Sequence, residues 1–62
     1  MMLRLHHTSH QLKWIRENCP IAAAGMIPEY FIDHQTLLPR LVHYDIIFED
    51  EKELTLNLLR WA

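Results

Sequence analysis

Three prolines, Pro20, Pro28 and Pro39, divide this chain and limit what each segment can become. A proline removes a main-chain donor and drives the preceding residue out of the helical region. No regular helix is therefore expected to run through any of these positions. "NCPIAAAGMIPEYF", residues 18 to 31, sets a short alanine run and the only glycine, Gly25, between two of the prolines. Pro20 suits a first helical position, and Gly25 suits the left-handed residue just past a helix end. Residues 20 to 24 are thus expected to form one helical turn or slightly more.

Ahead of Pro20, residues 1 to 6 set Leu3 and Leu5 against Arg4 and His6, the alternation of a half-buried strand. Thr8 with Gln11 fits a capping box, so a helix is predicted to start near Ser9 and to stop before Pro20. Leu12, Ile15 and Cys19 share one side of that helix, and Trp14 lies well away from their stripe. Between Pro28 and Pro39, residues Tyr30, Phe31, His34, Leu37 and Leu38 follow the spacing of one buried helical face, predicting a helix over 28–38.

Beyond Pro39 the period changes. Val42, Tyr44, Ile46 and Phe48 alternate with Leu41, His43, Asp45 and Ile47, so residues 41 to 48 read as a strand. A polar loop, "EDEKE", follows. Residues 54 to 59 then alternate Leu54, Leu56 and Leu58 against Thr55, Asn57 and Leu59, which predicts the second strand of a hairpin. A competing helix would use Asp50 and Glu53 as its capping box and Leu54, Leu58 and Trp61 as its stripe, but it would leave Leu56 and Leu59 facing outward. That exposure favours the strand.

The expected fold is a small α+β domain over 1–62 in the order β-α-(α)-α-β-β, with helices packed on a two- or three-stranded antiparallel sheet. Sixty-two residues bury only about 60% of the surface their unfolded chain exposes. The lone Cys19 offers no internal disulfide, and half the residues are hydrophobic. Self-association as a symmetric dimer is therefore expected. With a formal charge of −2 and a pI near 6.2, the composition lacks the basic excess of a nucleic-acid or membrane-surface protein. One free thiol and no export signal or membrane-length apolar run lead to an expected cytoplasmic location.

Three helices with a turn glycine, followed by a hairpin, form a winged helix-turn-helix layout similar to that of the small Cro-type phage repressors. The resemblance implies DNA binding. With Gly25 as the turn, the outward positions Ile27, Pro28, Glu29, Ile32 and Asp33 would face the groove, placing two carboxylates and no cation against phosphate. Lys13 and Arg16 are the only nearby cation pair, and they are the candidate DNA contacts of this alternative.

Other residue types offer little chemistry. His6, His7 and His10 lie close in sequence but straddle the expected strand-to-helix boundary, without a carboxylate or thiolate at ligand spacing. No metal or cofactor is expected. His34 is expected inside an apolar helical face, satisfied by Tyr44 or backbone. Cys19 reads as a small buried hydrophobe, and no glycine-rich phosphate loop exists, so an enzyme is not expected. The expected function is regulation or inhibition by binding another protein, as a homodimer. The expected contacts are Trp14, the outer-face residues Ile47, Leu59 and Trp61, and the acidic loop residues Glu49, Asp50 and Glu51.

Overall fold

The computed structural model describes residues 1–61. It contains β1 (Met2–His6), α1 (His10–Asn18), α2 (Pro20–Ala24), β2 (Ile27–Ile32), β3 (Pro39–Ile47) and α3 (Glu51–Trp61). The three strands form one antiparallel sheet in the order β1-β3-β2, so the chain is a small α+β domain. No helix among the described residues is long and apolar enough to cross a membrane.

The first half follows its sequence pattern closely. In β1, Leu3 and Leu5 face inward, paired with Ile46 and Tyr44 of β3. Ser9 caps α1, its hydroxyl accepting the Gln11 N–H at 3.2 Å, one residue later than the Thr8 cap expected. Gln11 does not close a capping box; its amide donates to Asn57 Oδ1 at 3.1 Å. Leu12, Ile15 and Cys19 are buried on the expected stripe. Pro20 opens α2 at its first position, where its missing N–H costs nothing. Gly25, at φ −99°, is not left-handed, so the expected conformation is corrected there.

The core lies where α1 and α2 meet the central strand. Leu12, Ile15, Cys19, Ala22, Ile46 and Phe48 form it, ringed by partly buried Leu3, Leu5, Trp14, Met26, Tyr44 and Leu54. Val42, Tyr44 and Ile46 take the inward side of β3 as expected, continued by Phe48 just past its end, and burial is deepest at Ile46.

Two predicted elements are corrected. Residues 27 to 32 form strand β2, and the expected helix over 28–38 is absent. Tyr30, Phe31 and Ile32 are strand formers, and pairing with β3 outweighs a helical spacing that five residues meet by coincidence. Asp33 then turns the chain, its carboxylate accepting the Gln35 N–H at 2.9 Å and its carbonyl the Leu37 N–H at 2.7 Å. His34 is consequently exposed at the turn, edge-on to Phe31 at 6.2 Å, and is not a core histidine. The helix-turn-helix centred on Gly25 is not formed, because a strand follows that glycine.

The second correction falls on the last segment, where α3 replaces the expected strand over 54–59. Asp50 caps it, accepting the Lys52 N–H on its carboxylate at 3.1 Å and the Leu54 N–H on its carbonyl at 3.0 Å. Glu51 and Glu53 in the first turn and Arg60 in the last suit the helix dipole. The observed order is β-α-α-β-β-α.

The β2–β3 hairpin extends beyond the helices. Every residue of β2 is exposed. The molecule measures 43 × 18 × 17 Å with a radius of gyration of 13.1 Å, against about 10.6 Å for a compact chain of this length. At the hairpin tip Leu37 is left-handed, with φ 58°. That conformation costs a leucine about 1 kcal/mol. Leu37→Gly is therefore expected to raise the urea midpoint by the equivalent of several tenths of a kcal/mol, since glycine's extra chain entropy offsets part of the gain. A lowered midpoint would contradict the strain.

Candidate functional site

Helix α3 is amphipathic in an unusual sense. Its most deeply buried residues are polar: Glu53 and Asn57 are buried beside a partly buried Leu54, while Leu56, Leu58 and Leu59 are exposed. The buried groups are all engaged. Glu53 Oε2 accepts the Ile21 N–H at 3.0 Å and Oε1 the Ala22 N–H at 2.9 Å, so one carboxylate caps the first turn of α2 from a different helix. Asn57 holds Gln11 of α1. Trp61 meets Trp14 edge-on, with ring centroids 6.4 Å apart. Polar fixing of the inner side leaves the leucines to solvent, with Leu59 at 77% exposure. A shallow, open depression lined by Glu51, Lys52, Thr55 and Leu56 borders them.

The structure separates the residues expected to share one outer face. Ile47 stands on the open face of the sheet, opposite Met2, because its neighbour Ile46 points into the core. Leu59 and Trp61 lie on α3, which packs on α1 on the other side. Trp14 is half-buried against Trp61. Of the loop acids, Glu49 and Glu51 are exposed, and Asp50 is occupied as the α3 cap. Thr55 is tied to its own helix, donating to the Glu51 carbonyl at 2.8 Å.

Lys13 and Arg16 are exposed on α1, and the Arg16 guanidinium lies over the Tyr44 ring at 5.1 Å. On the open sheet face Arg4 pairs with Asp45 at 3.1 Å, and His43 Nε2 approaches the same carboxylate at 3.8 Å. The three clustered histidines diverge. His6 opposes His43 across β1–β3, His7 Nδ1 lies 3.3 Å from the Val42 carbonyl, and His10 starts α1. Among the described residues no three His, Cys, Asp or Glu side chains stand together as metal ligands would.

Cys19 is fully buried, with its Sγ 3.8 Å from the Glu53 carbonyl. Burial, then the charges of Glu53 and Asp50, push its thiol above the ordinary value of 9.0. The folded state therefore favours the neutral thiol. The associated stability is fully present below pH 9.0 and is lost as pH rises through the higher folded value. Native protein at neutral pH is expected to resist a thiol reagent that labels the urea-unfolded chain at once, and Cys19→Ala is expected to flatten the alkaline fall in melting temperature. Rapid native labelling would contradict both the burial and the shift.

Sequence reasoning found β3 but missed β2, and with it the β2–β3 arm. Tyr30, Phe31, Ile32, Leu37 and Leu38 are each more than half exposed. The signal available was Asp33, a turn-forming residue directly after the strand-forming run Tyr30-Phe31-Ile32. No protein-family model, curated protein or solved structure matches this chain.

Proposed function

We propose that this chain is a small, non-enzymatic regulatory or inhibitory protein that acts in the cytoplasm by binding another protein, and that it works as a homodimer. The observation that carries this reading is the placement of its apolar side chains. Six hydrophobic residues are buried, whereas fourteen large ones are exposed among the described residues. Single exposed hydrophobes are ordinary, but contiguous exposed groups mark contact surfaces. Ten of the fourteen lie on two segments, residues 27–38 of the β2–β3 arm and the outer side of α3.

The α3 surface suits a foreign partner. Leu56 and Leu59 supply an apolar ridge, Trp61 lies at its end, and Glu49 and Glu51 stand exposed at the start of the helix. A protein presenting a hydrophobic groove bordered by cations is the complementary chemistry. The experiment is affinity capture from the host lysate with the wild-type chain and with Leu59→Glu and Lys13→Ala, followed by calorimetry with the purified captured protein. Expected is one stoichiometric partner whose affinity falls at least about tenfold for Leu59→Glu, the scale of a central contact, and stays unchanged for Lys13→Ala. Binding that is insensitive to Leu59→Glu, or that is lost with Lys13→Ala, would overturn the assignment.

A further inference from the structure

We infer that two copies of this chain pair antiparallel through β2, related by a two-fold axis at Tyr30, to make one continuous six-stranded sheet; the inference rests on the homodimer proposed above and assigns its surface. Strand β2 is an edge, since the sheet order is β1-β3-β2. The direction of its main-chain groups follows from the hairpin end. Asp33 N–H donates inward to the Leu38 carbonyl at 3.1 Å, and alternation runs unbroken along β2, because the irregularity between Glu29 and Tyr30 adds its extra residue, Val42, to β3. Phe31, Glu29 and Ile27 therefore also point their main-chain groups toward β3, and Ile32, Tyr30 and Pro28 point theirs to the open edge. Pro28 agrees with this parity, because its missing N–H falls where β3 needs no donor. Tyr30 and Ile32 are left with unpaired main-chain groups on an exposed apolar strand, the kind of edge that natural proteins blunt or pair.

Charge and strand length together select one register: centring on Ile32 opposes no like charges but sets Tyr30 and Glu29 against the turn residues His34 and Gln35, past the end of β2. Pairing centred on Glu29 sets the two Glu29 carboxylates directly opposite, and pairing centred on Phe31 sets Glu29 opposite Asp33; both oppose like charges. Centring on Tyr30 places Glu29 beside the second copy's Phe31, and Phe31 is flanked on its other side by its own Arg40. Each such row then carries one carboxylate and one guanidinium, on either side of Phe31, and no like charges are opposed. In this register Tyr30 pairs with itself through two hydrogen bonds, and each Ile32 N–H meets the second copy's Pro28 carbonyl.

Surface area points the same way. The chain exposes 4771 Å², about 500 Å² more than a compact protein of its mass, and a standard interface takes about 800 Å² from each partner.

The test is sedimentation velocity across the micromolar range on wild type, Tyr30→Pro and Leu59→Glu, with circular dichroism of each. Tyr30→Pro deletes only an outward N–H, so the hairpin stays intact. Expected are a wild-type dimer, at least a tenfold rise in the dissociation constant for Tyr30→Pro, and no change for Leu59→Glu. A second measurement does not depend on that proline being tolerated. Facing Tyr30 Cα atoms would lie about 5.5 Å apart, within disulfide reach, so Tyr30→Cys is expected to form a covalent dimer in oxidised glutathione while Leu59→Cys does not. A dimer that ignores Tyr30→Pro, with Tyr30→Cys unlinked, would overturn the β2 assignment and leave the homodimer standing. A wild-type monomer throughout would overturn both.

Discussion

Ile46→Ala is expected to unfold a large fraction of the molecules under conditions where the wild-type chain is folded. Ile46 is fully buried in the central strand, paired with Leu3 and part of the one hydrophobic cluster. Truncating such a residue loses its transfer free energy and leaves a void, together about 3–4 kcal/mol. A chain of this length has about 3–9 kcal/mol in total. Among the described residues the core has six buried hydrophobic side chains, so few neighbours can collapse into the void. The adjacent residue is the control: Ile47 points to the open sheet face, so Ile47→Ala is expected to cost less than about 1 kcal/mol. Urea titrations at one fixed protein concentration separate the two. Equal losses would mean that the sheet buries a different face.

The second large effect concerns α3. Glu53→Ala is expected to destabilise by about 2–4 kcal/mol, because it leaves two main-chain donors without acceptors, one of them buried. Glu53→Gln keeps one acceptor oxygen but turns an amide toward the second N–H, so it is expected to fall between wild type and Glu53→Ala. Glu51→Ala, two residues earlier and exposed, is expected to change little. The graded order, read from urea midpoints, distinguishes a carboxylate acting as a cap from one that only fills space. If the glutamine variant matched wild type, the two-donor arrangement would be wrong.

The readable parts of the sequence were those where local pattern and tertiary demand agreed. Leu12, Ile15 and Cys19 announce a buried stripe, and the alternation from Val42 to Phe48 announces an inward strand face; both are found. The failures share a cause. Residues 28 to 38 match a helical face numerically, yet the apolar residues among them are exposed, so a spacing rule that assumes burial had nothing to report on. Residues 54 to 59 failed in the opposite direction. Leu56 and Leu59 outside a helix favour a strand by pattern, whereas they are the exposed side of a helix whose most deeply buried residues, Glu53 and Asn57, are polar. Glu53 and Asn57 could not be recognised as interior residues, because their partners, Ile21, Ala22 and Gln11, lie more than thirty positions away. In both segments an apolar residue was assumed to be buried within its own chain. On the proposed reading those residues are buried against other chains, an arrangement that hydrophobic periodicity within one sequence does not encode.

Site-specific photo-crosslinking in cells that make the protein tests that reading most directly. A photoreactive phenylalanine analogue is placed in turn at Phe31, Leu59 and Lys13. The expected result is a discrete crosslink to a second copy from Phe31, a discrete crosslink to one other protein from Leu59, and none from Lys13. Crosslinks only from Lys13, or none from either apolar position at full occupancy of the analogue, would contradict a protein whose exposed hydrophobic surface serves to contact other chains.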